Sequence, residues 1–412
     1  MKLGEAYQKW TSISLILRIV VGIVIGVVLA LAIPGIDFIG LPGTLFVNGL
    51  KAIAPFLVLF LIIGSIAGSG VGLGSRFRTV LILYIGSTII ASIVATVLSY
   101  AFPITITLPL EPGDAVPPED MSTFLIDLIS GIVVNPLSAL LNGNYLAILF
   151  WAALFGFIIR GYGSQAIKDG ASELGSILTK AVRVIIEFAP IGVLSIIYST
   201  VSESGLDIFA EYGQLIMLLV TCMLIVMFIT NPAIGGLFMR KNPYPLLIRC
   251  LKESGITAFF TRSSAANIPV NMALCERLGL DTNFYSVSIP LGATINMNGA
   301  AVTITVMTLC AAFTLDMDVP ILTAMILCIL ATVAACGASG VSGGSLLLIP
   351  MACSFLGISE DAAMLMVAVG FVIGVIQDSV ETMLNSSADV FYTAVSEVRD
   401  CRKKGEEQHF NF

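Results

Sequence analysis

The chain is a succession of apolar runs, each closed by a break. Ser12 to Ile33, Leu45 to Ala67, Val80 to Phe102, Ile216 to Met239 and Phe284 to Phe313 each reach the ~20 residues a helix needs to cross a bilayer. A helix satisfies its own backbone hydrogen bonds, and lipid supplies none. Charged residues are 11% of the 412, against about 25% in a soluble domain. The chain therefore reads as an all-α polytopic membrane protein. Ser12 to Ile33 is too long for a signal segment and lacks a small-residue cleavage site, so it stays as the first span.

Composition also removes function classes. The one histidine, His409, lies in a polar tail, which excludes histidine catalysis and histidine metal sites in the core. The eight cysteines form no CxxC pair and read as small core residues. No phosphate-binding G-x-x-x-x-G-K-[ST] loop and no basic aromatic patch occurs, so ATP-driven transport within this chain and nucleic-acid binding are not expected. No nucleophile–base pair points to an enzyme.

Lys and Arg set the orientation. The loop 103–120 holds Glu111, Asp114, Glu119 and Asp120 with no Lys or Arg, whereas Arg76 and Arg78 follow the second span. This predicts cytoplasmic N- and C-termini, the latter marked by Arg399, Arg402, Lys403 and Lys404. Thr123 to Ile159 reads as one fourth span interrupted at Asn135-Pro136 and Asn142-Gly143-Asn144, and Ile185 to Tyr198 reads as the fifth.

From Pro245 the pattern changes. Two short arms flank Thr261-Arg262-Ser263-Ser264, predicting a re-entrant hairpin over 245–279; an amphipathic surface loop is the competing reading. Asn296-Met297-Asn298-Gly299 sits at the middle of the next apolar run. It suits an unwound turn with free carbonyls, or two asparagines packing helices. A second hairpin over 319–356 has the tip Gly337-Ala338-Ser339-Gly340-Val341-Ser342-Gly343-Gly344-Ser345. Ser264 lies 32 residues before Asn296, and Val341 lies 37 before Asp378. Paired interrupted segments of this kind point to a midplane site in a secondary transporter.

The last apolar helix, 359–398, carries Asp378, Glu381, Thr382, Asn385 and Asp389. At ~100° per residue all five share one face. Carboxylates inside such a helix are costly unless they face protein, water or a ligand. The alternative is the polar side of a helix lying on the membrane surface.

Thr261-Arg262-Ser263-Ser264, the run Gly292 to Gly299, the glycine-rich second tip and Asp378-x-x-x-Thr382-x-x-Asn385-x-x-x-Asp389 resemble the dicarboxylate/amino-acid:cation (sodium) symporters. The chain is most similar to their bacterial serine/threonine:sodium members. The resemblance covers essentially the whole chain. It implies a glutamate-transporter-like fold with inverted repeats: eight transmembrane helices plus two re-entrant helical hairpins. It also implies a homotrimer in the bacterial inner membrane. Residues 12–78 and 119–200 would be mainly scaffold, and 79–102 and 205–398 mainly a transport core moving like an elevator.

By the same resemblance, Asp378 takes the substrate ammonium, and Asn385 and Ser264 take its carboxylate. Met297, Val341, Ser345, Glu381 and Thr382 line the pocket. Arg262 either gates the first tip or snorkels to the cytoplasm. Sodium is expected at Gly292, Asn296, Asn385 and Asp389, and again at Thr294, Ala335, Cys336 and Ala338.

Four positions depart from the family pattern, two bearing on substrate and two on sodium. Glu381 stands where acidic-substrate members have an arginine, and Ala300 where they have a threonine. Asn298 and Gly374 replace two aspartates of a third sodium site, while its partners Tyr84, Ser87 and Thr88 remain. A carboxylate at 381 disfavours dicarboxylates and suits a hydroxyl donor; by charge alone it could instead attract a basic substrate. With the resemblance, L-serine and L-threonine are the expected substrates. A broader neutral amino-acid exchanger, or a passive ion or anion channel of the same fold, is the alternative.

Overall fold

A computed structural model describes residues 13, 15–68, 75–107, 132–142, 144–338 and 343–405. All regular elements among them are helical. First come α1 (Leu15–Ala32), α2 (Asp37–Gly68) and α3 (Ser75–Ala101), then α4 (Pro136–Leu141), α5 (Tyr145–Tyr162), α6 (Gln165–Ile186) and α7 (Ala189–Ser204). α8 (Ile208–Ile225) continues through a π-turn into α9 (Asn231–Met239). α10 (Tyr244–Cys250) likewise continues through a π-turn into α11 (Ile256–Thr261). α12 (Ser264–Leu278), α13 (Thr282–Ile295), α14 (Asn298–Thr314), α15 (Ile321–Cys336), α16 (Ile349–Phe355) and α17 (Glu360–Lys404) complete the chain.

Five described helical stretches are long and apolar enough to cross a membrane: Asp37–Gly64, Arg76–Ala101, Phe209–Met239, Thr282–Thr314 and Glu360–Lys404. Gln165–Ile186 with Ala189–Ser202, bent by 52°, makes a sixth if taken as one span. Hydropathy alone starts that region at Ile185, twenty residues late. Lys168, Asp169, Glu173 and Lys180 lower the average but occupy one side of an amphipathic helix, which they do not interrupt. Pro190 then opens α7 at a position where its missing N–H costs nothing.

Two groups of helices pack among themselves. α1 and α2 lie against α5, α6 and α7. Tyr198 of α7 donates to the Ile33 carbonyl at 2.7 Å, and Ser195 donates to Ile39 at 2.5 Å while accepting from the Gly43 N–H at 2.8 Å. These bonds occupy polar groups at the α1–α2 corner. The second group gathers α3, α8 and the elements from α10 onward around α14 and α17. α14 has no solvent-facing side and is buried along its length from Asn298 to Ala312.

The two segments expected to form hairpins each contain a pair of short helices in mutual contact. α11 and α12 pack back on each other across Arg262, which is left-handed at φ 51°. α15 and α16 do the same around the second tip, of which 339–342 lie outside the described residues. The run 284–313 breaks at Asn296 and Met297, whose ψ angles of 72° and 55° end α13 and precede α14.

Candidate functional site

α17 is capped at both of its ends. Ser359 accepts from the Ala362 N–H, Glu360 and Asp361 fill the first turn, Arg402, Lys403 and Lys404 fill the last, and Gly405 closes it left-handed. The helix buries its polar stripe: Asp378, Glu381, Thr382, Asn385 and Asp389 are each 5% exposed or less. The stripe faces protein, which removes the surface-helix reading.

Asp378 meets the tip of the first hairpin. Arg262 Nε stands 3.2 Å from Asp378 Oδ2, and Arg262 Nη1 donates to the Gly374 carbonyl at 3.4 Å. The left-handed backbone at Arg262 ends α11 and turns the side chain toward α17. Arg262, Asp378, Gly343, Leu346 and Phe371 line a small cavity that also touches Leu15 and Ile186 of the first helix group. Arg262 is 7% exposed, so it is neither a surface cation nor a snorkelling one. Ser264, the first residue of α12, is buried as well.

Glu381 lies one turn further along. Its Oε2 accepts from Thr303 Oγ1 at 2.6 Å, Ser345 Oγ at 2.9 Å and Gln377 Nε2 at 2.5 Å. Gln377 Nε2 also donates to Thr303 Oγ1 at 2.7 Å. Charge-assisted bonds of this kind offset the cost of burying a carboxylate. Ser345 belongs to the second hairpin, so one oxygen joins α14, α17 and that hairpin. Thr382 spends its hydroxyl on the Asp378 carbonyl at 2.7 Å.

Asn385 and Asp389 meet the unwound turn. Asn385 Oδ1 accepts from the Gly299 N–H at 2.7 Å, and its Nδ2 lies 3.5 Å from Met297 Sδ. Asn296 Nδ2 donates to Asp389 Oδ1 at 2.9 Å. The remaining oxygens, Asp389 Oδ2 and Asn296 Oδ1, are buried without a hydrogen-bond partner. Two orphaned oxygen acceptors, one of them anionic, are the donor set a hard cation prefers. Gly292 permits the close approach: a Cβ there would sit 2.7 Å from Asp389 Oδ1 and 2.9 Å from the Tyr84 hydroxyl.

The second predicted sodium group is brought only partly together. Cys336 Sγ lies 3.4 Å from the Ile295 carbonyl, joining the end of α15 to the end of α13. The Ala335 carbonyl accepts from the Ala338 N–H at 2.9 Å, and Thr294 turns its hydroxyl back to Leu291 at 2.8 Å. Val341 lies outside the described residues.

Sequence reasoning missed several buried polar groups. Thr303 binds Glu381 yet sits in an apolar run that gives no signal for it; Gln377 binds it too, and its place four residues before Glu381 on one helix was the available sign. Asn267, Asn271 and Ser254 of the first hairpin form a cluster with Ser386 of α17; Asn267 Nδ2 donates to Ser386 Oγ at 2.8 Å, and Asn271 Nδ2 donates to the Ser386 carbonyl at 3.1 Å. Two asparagines spaced four apart on the second arm were the available sign.

Residues 15–398 match the sodium:dicarboxylate symporter family. The chain is 49% identical over 392 residues to the serine/threonine transporter SstT of Bifidobacterium adolescentis, covering 95% of this chain and 91% of that protein. It is 52% identical over 389 residues to the serine/threonine transporter SstT of Streptococcus agalactiae, covering 94% and 96%.

Proposed function

The chain belongs to the sodium:dicarboxylate symporter family, and from that premise we propose that it imports L-serine and L-threonine across a bacterial inner membrane by coupling their entry to sodium. It is an integral membrane transporter and not an enzyme. The names of the two similar transporters support the substrate. The observation that carries the mechanism is the buried stripe of α17, where three carboxylates meet both hairpins and the unwound turn.

In this reading Asp378 takes the substrate ammonium, displacing Arg262. Ser264 and Asn385 flank the α-carboxylate with N–H groups of the tips, and Met297, Ser345, Val341 and Thr382 bound the pocket. Glu381 faces the substrate side chain. An anion there repels a second carboxylate, so dicarboxylates are rejected.

Sodium is a co-substrate. Asp389 Oδ2 and Asn296 Oδ1, with carbonyls of Gly292 and Asn385, hold one ion, and Asp389 supplies its formal charge. Thr294, Ala335, Cys336 and Ala338 offer carbonyls to a second ion as the second hairpin closes. α3 and the elements from α8 onward travel as one body against α1, α2 and α5–α7. We assign the protein to a homotrimer with both termini in the cytoplasm.

Uptake of labelled L-serine into proteoliposomes tests this. An inward sodium gradient should drive accumulation that L-threonine competes away and L-aspartate does not. Uptake that ignores the sodium gradient would sink the symport reading.

A further inference from the structure

The Glu381 cluster separates its two carboxylate oxygens. Oε2 takes all three donors, Thr303, Ser345 and Gln377. Among the described residues no hydrogen bond reaches Oε1. Beside it, Gln377 Oε1 is buried and also without a partner. The unsatisfied atoms of this cluster are therefore acceptors, and an occupant that completes it must bring a hydrogen-bond donor.

Geometry fixes where that occupant sits. Asp378, Glu381 and Asn385 lie on successive turns of one helix face, so neighbouring side chains are about 5–6 Å apart at Cβ. An amino acid whose ammonium is on Asp378 has its β-substituent within reach of the next turn. A carboxylate can swing about its last torsions, and a swinging acceptor selects poorly. Here Thr303 Oγ1 at 2.6 Å and Gln377 Nε2 at 2.5 Å pin Oε2 from two helices, and Gln377 holds Thr303 in turn at 2.7 Å. The contact with Gly299 adds a wall: a Cβ there would stand 2.9 Å from Glu381 Cγ. With Oε2 pinned, the plane of the carboxylate is set and Oε1 points one way.

We propose that Thr303 and Gln377 are positioning residues for hydroxyl recognition, holding Glu381 so that Oε1 accepts the hydroxyl hydrogen of the substrate. The inference rests on the reading that Asp378 binds the ammonium of a hydroxyl amino acid. It adds the device that separates serine and threonine from alanine. A site built to hydrogen-bond a hydroxyl rejects the analogue lacking it, because its own buried polar atoms are then left unpaired.

The test is competition uptake in proteoliposomes holding the full-length protein. The ratio of apparent affinities for L-serine and L-alanine is compared in the wild type, Glu381→Gln, Thr303→Val, Thr303→Ser and Gln377→Leu. The wild type should prefer serine. Thr303→Val and Gln377→Leu should each lower that preference about tenfold, and Thr303→Ser, which keeps the donor, should restore it. A merely structural role lowers serine and alanine uptake together and leaves the ratio alone. Should either apolar variant fold too poorly to assay, Thr303→Ser and Thr303→Asn keep a polar side chain, and only Thr303→Ser should hold the wild-type ratio. If Glu381→Gln loses the preference while Thr303→Val and Gln377→Leu keep it, the positioning role is overturned and the ligand reading stands. A wild type that does not distinguish serine from alanine overturns the ligand reading itself.

Discussion

Arg262 and Asp378 form a buried ion pair, Nε to Oδ2 at 3.2 Å, between the tip of the first hairpin and the middle of the last helix. Asp378 is the acid assigned to the substrate ammonium, so a cation of the protein holds the place a cation of the substrate is to take. In the proposed binding mode, substrate entry exchanges one pair for another. That exchange avoids a stage in which the carboxylate is buried without a countercharge.

Arg262→Met tests the exchange. Removing one partner of a buried pair costs about 3–5 kcal/mol. The variant should melt at a lower temperature than wild type in the absence of substrate. Serine should then raise its melting temperature by more than it raises the wild type's, since the ligand now restores a countercharge instead of replacing one. Asp378→Asn should show no serine-induced shift. A serine shift in Arg262→Met equal to or smaller than that of wild type would show that the two cations do not compete.

Asp389 is assigned to sodium through the oxygen it leaves unspent. Asn296 binds Oδ1, and Oδ2 has no hydrogen-bond partner. Asp389→Asn removes the formal charge and introduces a donor where the proposed cation would sit. Half-maximal sodium for serine uptake should rise at least ~10-fold, the effect of losing a charged ligand from an oxygen cage. An unchanged sodium titration places the ion elsewhere.

Gly299 is fixed by its neighbour and not by its backbone. A Cβ there would meet Glu381 Cα, Cγ and the carbonyl oxygen, each at 2.9 Å, and two of those three atoms are main chain. The same residue donates its N–H to Asn385 at 2.7 Å. Gly299→Ala should therefore destabilise by about 1–3 kcal/mol, the cost of overpacking a core. Gly374→Ala is the control, since a Cβ there meets nothing within 4 Å. Thermal unfolding should show a loss only for Gly299→Ala, and equal melting temperatures would refute the crowding argument.

How much of this was legible follows from what hydropathy records. The stripe of α17 was readable because carboxylates inside an apolar run are rare and their helical spacing needs no tertiary information. The break at Asn296 was readable because polar residues interrupted a spanning run at its middle. Of the partners of Glu381, Gln377 stands four residues before it on the same helix, so that pair was readable though it went unread. Thr303 was not: a threonine costs an apolar helix little, and only folding brings α14 to α17. The pairing of Arg262 with Asp378 was hidden for the same reason, being a contact across 116 residues of chain. The start of α6 was missed because its charges lie on one side of an amphipathic helix, and averaging along the chain erases sidedness.

The last prediction is that at most two sodium ions accompany each substrate. The third site that the family resemblance implies takes carboxylates at the positions of Asn298 and Gly374. Here the amide oxygen faces hydroxyl groups of α3 and the amide nitrogen faces a second amide. Asn298 Oδ1 accepts from Thr88 Oγ1 at 2.8 Å and from Ser87 Oγ at 3.1 Å, and its Nδ2 donates to Asn231 Oδ1 at 3.4 Å. Asn231 Oδ1 also accepts from the Tyr392 hydroxyl at 2.8 Å. A sodium ion needs oxygens directed at it and a compensating charge; in this cluster the amide oxygens already face hydroxyl groups, and none of these side chains is a carboxylate. Gly374 offers no side chain, and the Arg262 guanidinium lies 3.4 Å from its carbonyl, so a cation there meets a cation. The charge that remains is Asp389 for one ion, with carbonyl dipoles for a second. Reversal potentials of the reconstituted protein, measured while the sodium and serine gradients are varied, give the ratio directly. A ratio of three would mean that Tyr84, Ser87, Thr88 and Asn298 hold a cation with no carboxylate among them, and the electrostatic argument would fail.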